Sequence, residues 1–266
     1  MTLKEELILR ARQLDIPLIG FAPVERWHHP PFQPWMPEGF YPDAIWPEAR
    51  SVIVIGLPVQ LPIVETTPSI YYQELYRTVN QLLDQYAYRL SLFLDDHGHP
   101  SIYLPRDGYG NLGLLKNRTT AFFSHRHAAY LAGLGNFGWN NTLLTPRYGP
   151  RVRFTCIFTA TEIPGNEMLK EHLCIRCGKC VDHCPVHAIP GKDYPHGTIA
   201  REPCREQNEM LSKEHRGPCG ICIKVCPIGR DRTVFEREGM EYNGSEEPLE
   251  RAWAHVRAYG SARPKE

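Results

Sequence analysis

Closely spaced cysteines are the residues of this sequence with the clearest chemical meaning. Cys174, Cys177, Cys180 and Cys184 form the pattern C-x2-C-x2-C-x3-C, and Pro185 follows the last of them. This is the spacing with which thiolates hold a 4Fe-4S cluster in small bacterial electron carriers. The run therefore predicts an iron-sulfur site.

A second, shorter cysteine run lies downstream. Cys219, Cys222 and Cys226 form C-x2-C-x3-C, again followed by a proline. This run lacks one ligand for a second cluster, and the isolated Cys204 is available to supply it. The sequence thus predicts two 4Fe-4S clusters, an arrangement that suits the transfer of single electrons.

The eight cysteines divide between the two predicted clusters in a crossed pattern. In two-cluster proteins of this kind, the cysteine before the proline usually serves the neighbouring cluster. We therefore expect cluster I to be held by group I and cluster II by group II. Group I is Cys174, Cys177, Cys180 and Cys226, and group II is Cys184, Cys204, Cys219 and Cys222.

Zinc is the main alternative for these cysteines, because C-x2-C pairs also build zinc ribbons. Four closely spaced cysteines in one run exceed what a ribbon needs, and both runs end in Cys-Pro. Both features favour iron-sulfur clusters. The ninth cysteine, Cys156, lies in the apolar stretch 154–158 and is expected to be a buried structural thiol.

Composition sets the protein class. The 266 residues are 42% hydrophobic and 23% charged, which is typical of a globular protein. Thirty basic residues balance thirty acidic ones, so no global positive field favours nucleic acid. The sequence has no secretory leader and no apolar run of membrane-spanning length, so we expect a cytoplasmic protein. In that reducing compartment a dense set of thiols is more suited to metal binding than to disulfides.

Hydrophobic periodicity predicts an α+β fold upstream of the cysteines. Continuous apolar character predicts that the strand at 51–57 is covered on both faces, and alternation predicts a half-buried strand at 151–159. Helices are expected over 2–14, 69–96 and 119–132, and further strands near 16–24 and 101–104.

A glycine-rich segment at 133–141 is a candidate cofactor loop. Its glycines permit close approach of the backbone to a flat ligand, and its asparagines offer amide hydrogen bonds. A simple turn between helix and strand explains the segment equally well, and the G-x-G-x-x-G dinucleotide pattern is absent. The candidate cofactor-binding residues are Gly135, Asn136, Phe137, Gly138, Trp139, Asn140 and Asn141.

The order of these parts resembles the epoxyqueuosine reductase and reductive dehalogenase family of corrinoid iron-sulfur proteins. The resemblance rests on the segments 132–138 and 141–144, the two cysteine runs and the isolated Cys204. It implies a nitroreductase-like mixed α/β domain over 1–165 that binds base-off cobalamin at the glycine segment. It also implies a double 4Fe-4S ferredoxin-like domain over 166–232. From its own residues, the charged C-terminal tail over 233–266 is expected to pack on the body through Trp253.

The resemblance also suggests where a proton donor would stand. Thr119 occupies the position of the acidic residue that epoxyqueuosine reductases use, and threonine is a poor general acid at neutral pH. Tyr109, near Arg106 and Arg118, is a second candidate of the kind found in dehalogenases, although a surface tyrosine that merely packs is the alternative. The catalytic residue is therefore left open between Tyr109, Thr119 and others.

These features lead to three functional hypotheses. The first is a cytoplasmic iron-sulfur oxidoreductase in which two 4Fe-4S clusters pass electrons to cobalamin for reduction of a small molecule. The second is a non-enzymatic 4Fe-4S electron-transfer protein without corrinoid, and the third is tRNA epoxyqueuosine reductase proper. The first hypothesis requires an external low-potential electron donor such as ferredoxin or flavodoxin. We expect no nucleic acid and no membrane as a partner.

Overall fold

The fold is mixed α+β and is built around a four-stranded antiparallel sheet. The computed structural model describes residues 1–106, 121–238 and 254. Its strands are β1 (Leu18–Pro23), β2 (Ser51–Pro58), β3 (Ser101–Leu104) and β6 (Val152–Thr159). They lie in the order β1-β2-β6-β3, so the two longest of these strands are at the centre of the sheet.

The central strands explain where the core sits. In β2 every residue from Ser51 to Leu57 is buried, which confirms the prediction of a strand covered on both faces. The prediction that β6 is half-buried was wrong, because Phe154 to Thr159 are all buried. Its threonines are accommodated by hydrogen bonds: the Thr155 hydroxyl donates to the Leu104 carbonyl at 2.6 Å. Cys156 is fully buried in this strand, as expected.

Helices account for most of the remaining regular structure. The helix at Ile70–Asp96 follows the predicted range closely, and the first helix, Leu3–Gln13, begins with a capping box between Thr2 and Glu5. Among the residues described, no helix is both long enough and apolar enough to span a bilayer. The helices are α1 (Leu3–Gln13), α2 (Glu25–His28), a 3-10 turn (Glu38–Phe40), α3 (Pro42–Ile45), α4 (Leu61–Val64), α5 (Ile70–Asp96), α6 (His125–Leu131), α7 (Lys179–Asp182), α8 (Arg201–Lys213), α9 (Ile221–Lys224) and α10 (Asp231–Val234).

The helix predicted over 119–132 is shorter than expected. Residues 119 and 120 lie outside the described residues, and the helix α6 begins only at His125, after Ser124 in extended conformation. Phe123 is buried instead against Phe158 of the sheet, with ring centroids 4.9 Å apart. Tertiary packing of this aromatic ring therefore outweighs the helical tendency of the preceding residues.

The chain divides into two compact units, and each unit is made of several segments. Unit 1 comprises Met1–Pro58, Asn80–Asn136 and Val152–His172, and it contains the four-stranded sheet. Unit 2 comprises Val59–Val79, Phe137–Arg151 and Leu173–Glu266, and it contains all eight cysteines of groups I and II. The boundaries predicted from sequence, at 165 and 232, divide the chain linearly. The structure instead adds two upstream segments to the cysteine-containing unit.

Candidate iron-sulfur site

The four group I cysteines line one small cavity in unit 2. A three-residue spacing along the first run brings three of them together, and Cys226 of the second run completes the set. Burial, followed by the neighbouring Cys226, Cys174 and Cys177 thiols, raises the pKa of Cys180 to about 12. The cavity is lined by Gly138, Trp139, Asn140, Leu144, Cys174, Ile175, Arg176, Cys177, Gly178, Cys180, Cys226, Pro227 and Ile228.

The group II cysteines form a second set within the same unit. Burial raises the pKa of the Cys204 thiol, and the nearby Cys184 thiol raises it further. The pKa of Cys219 is raised in the same way, by burial and then by Cys204 and Cys184. Burial raises the pKa of Cys222 well above its ordinary value, with further contributions from the other three group II thiols. Four thiols drawn from three separate places in the sequence thus share one location.

The two sets adjoin each other. The Cys222 thiol of group II also interacts electrostatically with Cys180 of group I. Cys180 packs, together with Cys204 and Cys222, against a buried apolar cluster of Cys184, Ala188 and Ile189. Thiols of the two groups therefore lie next to each other within unit 2.

The same local turn builds both cysteine runs. Cys177 and Cys219 are each followed by a glycine, with φ of +79° at Gly178 and +69° at Gly220. Each glycine caps a one-turn helix, α7 or α9, that carries the next cysteine. At Gly220 a Cβ would lie only 2.6 Å from the Tyr72 ring, so both the backbone conformation and the packing require glycine.

Asn208 of α8 holds two group II residues. Its side-chain amide donates to the Cys204 carbonyl at 2.7 Å and lies 3.7 Å from the Cys204 sulfur. Its carbonyl oxygen accepts from the Cys219 backbone N–H at 2.8 Å. Hydrogen bonds to and around metal-bound sulfurs orient the ligands and tune the bound centre. The Ala188 N–H supplies another such bond, to the Cys184 sulfur at 3.2 Å.

Two buried arginines support Cys226 of group I. Arg151 and Arg232 both donate to the Cys226 carbonyl, at 3.2 and 2.8 Å, and their exposed fractions are 0% and 1%. Arg151 also forms a two-point ion pair with Asp231, at 2.6 and 2.7 Å. Burial raises the pKa of Cys226 to about 11, while the Ile228 N–H and the two arginines act to lower it.

Part of the predicted cofactor segment contacts the cysteines of unit 2. Gly138, Trp139 and Asn140 line the group I cavity. The Trp139 indole donates to Asp193 at 2.8 Å, and the Asn140 amide donates to the Cys222 carbonyl at 3.3 Å. Asn141 adopts a left-handed conformation with φ of +58°. These residues form a tight turn between the short paired strands β4 (Asn136–Phe137) and β5 (Leu143–Leu144).

The other members of the segment lie around this turn. The Phe137 ring stacks on Tyr194, with centroids 4.2 Å apart. Within unit 1, the Asn136 amide donates to the Glu171 carbonyl. Gly135 is buried and directly precedes β4. Within the segment, Gly135, Asn136 and Phe137 therefore pack against other parts of the fold. Gly138, Trp139 and Asn140 line the group I cavity.

Several supporting residues escaped the sequence analysis. Asn208, Arg151, Arg232 and Asp193 lie outside the motifs, and only their burial and contacts identify them. Among these four residues, only Arg151 had a signal in the sequence, because a charged residue directly before an apolar strand is unusual enough to suggest a specific partner. The candidate proton donors Tyr109 and Thr119, and Trp253 of the tail, lie outside the described residues.

The donor set fits iron-sulfur clusters. Each group offers four thiols, which is the ligand set of a 4Fe-4S cluster. Within the described ranges, no three His, Cys, Asp or Glu side chains converge closely enough to chelate a single metal ion.

Comparison with known proteins identifies one matching family model and several similar reductases. A family model described as a 4Fe-4S binding domain matches residues 169–189. A tetrachloroethene reductive dehalogenase of Desulfitobacterium hafniense is 26% identical over 239 residues, which cover 82% of this chain and 39% of the dehalogenase. An epoxyqueuosine reductase of Listeria monocytogenes is 24% identical over 273 residues, covering 90% of this chain and 68% of the reductase. The chain thus spans about two fifths of the length of the dehalogenase.

Solved structures show the same fold. A reductive dehalogenase studied for B12-dependent dehalogenation matches with a TM-score of 0.64 at 19% identity, over 96% of this chain and 35% of its own. The epoxyqueuosine reductase of Streptococcus thermophilus matches with a TM-score of 0.57 at 18% identity, over 86% of this chain and 67% of its own.

Proposed function

We propose that the chain, which is similar to epoxyqueuosine reductases and reductive dehalogenases and matches a 4Fe-4S binding domain, is a corrinoid-linked iron-sulfur reductase of that family. In this proposal groups I and II each hold a 4Fe-4S cluster. The two clusters pass electrons to a base-off cobalamin that binds at the glycine segment. A low-potential donor such as ferredoxin or flavodoxin supplies the electrons, and the substrate is a small molecule.

One observation carries the proposal. The four group I thiols share their cavity with Gly138, Trp139 and Asn140 of the glycine segment. A cofactor held against that segment would therefore lie at the edge of cluster I, where an electron is available to it. The B12-dependent dehalogenase with the same fold supports the choice of a corrinoid over other cofactors.

The residues of this chain have distinct tasks in the proposed reaction. The thiols bind iron as thiolates, and buried N–H donors and the Arg151 and Arg232 cations stabilise their negative charge. Trp139 and Asn140 fix the turn through Asp193 and the Cys222 carbonyl. Cobalamin, when bound, would supply a reducible cobalt centre, which is chemistry that no amino-acid side chain provides. Tyr109 and Thr119 remain the candidate proton donors.

An anaerobic corrinoid titration tests this proposal. The protein is reconstituted with iron and sulfide, and hydroxocobalamin is added. A limiting amount of dithionite then reduces Co(III) to Co(II), and EPR records the base-off Co(II) form. We expect about eight iron per chain and saturable base-off corrinoid. Cys177→Ser should still bind corrinoid but lose about half of the iron. Cys156→Ser is the matched control, since Cys156 lies in β6 outside both cysteine groups. This variant should retain its full iron content and its corrinoid binding. Eight iron without corrinoid binding would contradict the proposal.

A second candidate is a non-enzymatic electron-transfer protein. It is favoured by the contacts of Trp139 and Asn140, which give the glycine segment a structural task without any further cofactor. In that case the chain would carry two clusters, bind no corrinoid and exchange electrons with a redox partner. The same titration separates the two candidates.

The third candidate is tRNA epoxyqueuosine reductase itself. The alignment with the Listeria enzyme, over 90% of this chain, favours it. Expression of the chain in a strain that lacks this reductase tests it directly. Restored queuosine in tRNA would support this candidate, and accumulation of epoxyqueuosine would exclude it.

A further inference from the structure

We propose that Asp193 is a positioning residue that closes the exposed side of the group I cavity, and that it slows the loss of iron from cluster I. Its carboxylate binds both Arg176 and Trp139, and we call these three side chains the Asp193 bridge. The inference rests on the proposed function, because it requires a 4Fe-4S cluster in group I. It does not require a corrinoid.

The Asp193 bridge joins two separate parts of unit 2. Oδ1 of Asp193 accepts from the Trp139 indole N–H at 2.8 Å. The same carboxylate accepts from Arg176 Nε at 3.1 Å and from Nη2 at 2.8 Å, which makes a two-point ion pair. Arg176 lies between Cys174 and Cys177, and Trp139 lies in the glycine segment. One carboxylate therefore connects the loop that carries two group I cysteines to the glycine segment.

The bridge lies at the surface of the cavity. Arg176 and Trp139 both line the group I cavity, and Asp193 connects them from the exposed side. The side chains of Arg176 and Asp193 are 58% and 56% exposed. Cys177, the residue after Arg176, is itself exposed. Cluster I would therefore lie close to solvent, and the bridge holds together the part of the cavity wall that separates them.

The ion pair also supports the loop between two group I cysteines. Arg176 has a φ of +56°, a left-handed conformation that residues with a side chain rarely adopt. Such a conformation persists only where its surroundings hold it. The two-point contact with Asp193 fixes the Arg176 side chain, so loss of the carboxylate would let the loop between Cys174 and Cys177 relax.

The residues beside Asp193 are held by contacts of their own. A Cβ at Gly191 would lie 3.6 Å from Cζ3 of Trp139, so the indole ring packs beside this glycine. Tyr194 stacks on Phe137, with ring centroids 4.2 Å apart. Substitution of Asp193 should therefore remove the bridge without displacing the chain on either side of it.

The two contacts of Asp193 differ in their response to salt. An exposed ion pair is screened as the ionic strength rises, whereas a hydrogen bond from a neutral indole is affected less. We therefore expect iron release from cluster I to become faster with salt in the wild type. A purely structural role of Asp193 would not produce this dependence.

Release of iron from the anaerobic, reconstituted full chain to 1,10-phenanthroline tests the inference. This chelator is uncharged, so its encounter with the protein does not depend on salt. Each cluster should release about four iron. Asp193→Ala should release about four iron about tenfold faster than the wild type, and the other four at the wild-type rate. Asp193→Asn keeps an oxygen acceptor for Trp139 but loses the charge, so the increase should be about threefold and should no longer depend on salt.

Asp182→Ala is the matched control, because Asp182 is also exposed and lies on α7 in the same cysteine run. It should release iron at the wild-type rate. Cys177→Ser lacks a group I ligand and identifies the iron of cluster II, whose release should not change when Asp193→Ala is added. If Cys177→Ser fails to assemble, the amount of iron in the accelerated phase still decides the outcome.

Three results would overturn the inference. These are wild-type release in Asp193→Ala, equal acceleration of all eight iron, and a wild-type salt dependence in Asp193→Asn. A reconstituted wild type without two clusters would instead refute the proposed function before any variant is compared. Two clusters without corrinoid binding would refute only the corrinoid part of the proposed function and leave the role of Asp193 to be decided by the release rates.

Discussion

Asn208 shows how much a single side chain outside the cysteine motifs contributes to the candidate site. Its amide group serves Cys204 as a donor and Cys219 as an acceptor, although these two cysteines lie in different segments. Because the bonds converge on two residues of the same group, Asn208 fixes the distance between them. In group I, by contrast, Arg151 and Arg232 both donate to the carbonyl of a single cysteine, Cys226.

Asn208→Leu should weaken cluster II. The substitution leaves the Cys219 N–H without its acceptor and removes the donor to Cys204, which costs about 1–3 kcal/mol. We expect iron to be released to a chelator at least about tenfold faster, since 1.4 kcal/mol corresponds to about a factor of ten. Gln207→Leu, the neighbouring amide on α8, is the control and should release iron at the wild-type rate. Equal rates in both variants would show that Asn208 has no supporting role.

Among the elements of the fold, short turns rather than long helices position the candidate site. The turn before β6 reverses at Gly149, where φ is +52° and a Cβ would overlap the Ile228 carbonyl oxygen. This close approach brings the turn against the segment that follows Cys226. Because of this contact, residues 137–151 belong to unit 2, which contains the cysteines, and not to unit 1, which contains the sheet.

Gly149→Ala should destabilise the protein and reduce the occupancy of cluster I. The methyl group must displace the Ile228 carbonyl, in addition to the strain of a left-handed alanine of about 1 kcal/mol. Gly98→Ala is a matched control, because φ is +77° there but a Cβ at this position would meet no atom within 4 Å. Thermal unfolding and iron content of both variants measure the difference. A loss in Gly98→Ala as large as in Gly149→Ala would contradict the steric explanation.

The start of α6 carries a pH-sensitive group. His127 is buried, its Nδ1 lies 2.6 Å from the Ser124 hydroxyl, and burial followed by the Arg126 charge lowers its pKa to about 3. An unfolded histidine has a pKa of about 6.5, so between these values the unfolded chain binds more protons. This contribution to stability is complete above a pH of about 6.5 and is lost progressively as the pH falls toward about 3.

Between about pH 6.5 and pH 5, His127 should reduce the free energy of unfolding by about 2 kcal/mol. His127→Asn should flatten this dependence, although it also lowers stability at neutral pH by disturbing the packing. His97→Asn, at an exposed position near the end of α5, is the control and should keep the wild-type slope. Denaturant unfolding at several pH values, followed by circular dichroism, measures the slopes. An unchanged slope in His127→Asn would contradict the assignment.

Across the whole molecule, the sequence predicted the structures that depend on neighbouring residues. It did not predict those that depend on contacts between residues far apart in the chain. Within each cysteine run, neighbouring cysteines are held by a short turn, and apolar periodicity located β2 and α5 to within a few residues. The helix before the glycine segment was overestimated because Phe123 packs on Phe158, a contact that spans the sequence. Arg151 meets Cys226 through the same kind of distant contact.

The division of the chain into two units could not be predicted from local sequence patterns either. Residues 59–79 contain no metal-binding motif, yet the Thr67 hydroxyl donates to the Cys219 carbonyl at 2.6 Å, and the segment belongs to the cysteine-containing unit. Only the three-dimensional contacts reveal this membership. The site is therefore supported by residues from all three segments of unit 2.

The most direct test of the central claim is the metal and sulfide content of the protein purified without exposure to oxygen. Two 4Fe-4S clusters predict about eight iron and about eight acid-labile sulfide per chain, with negligible zinc. About two zinc ions and no labile sulfide would contradict the account, because the two cysteine groups would then be structural zinc sites.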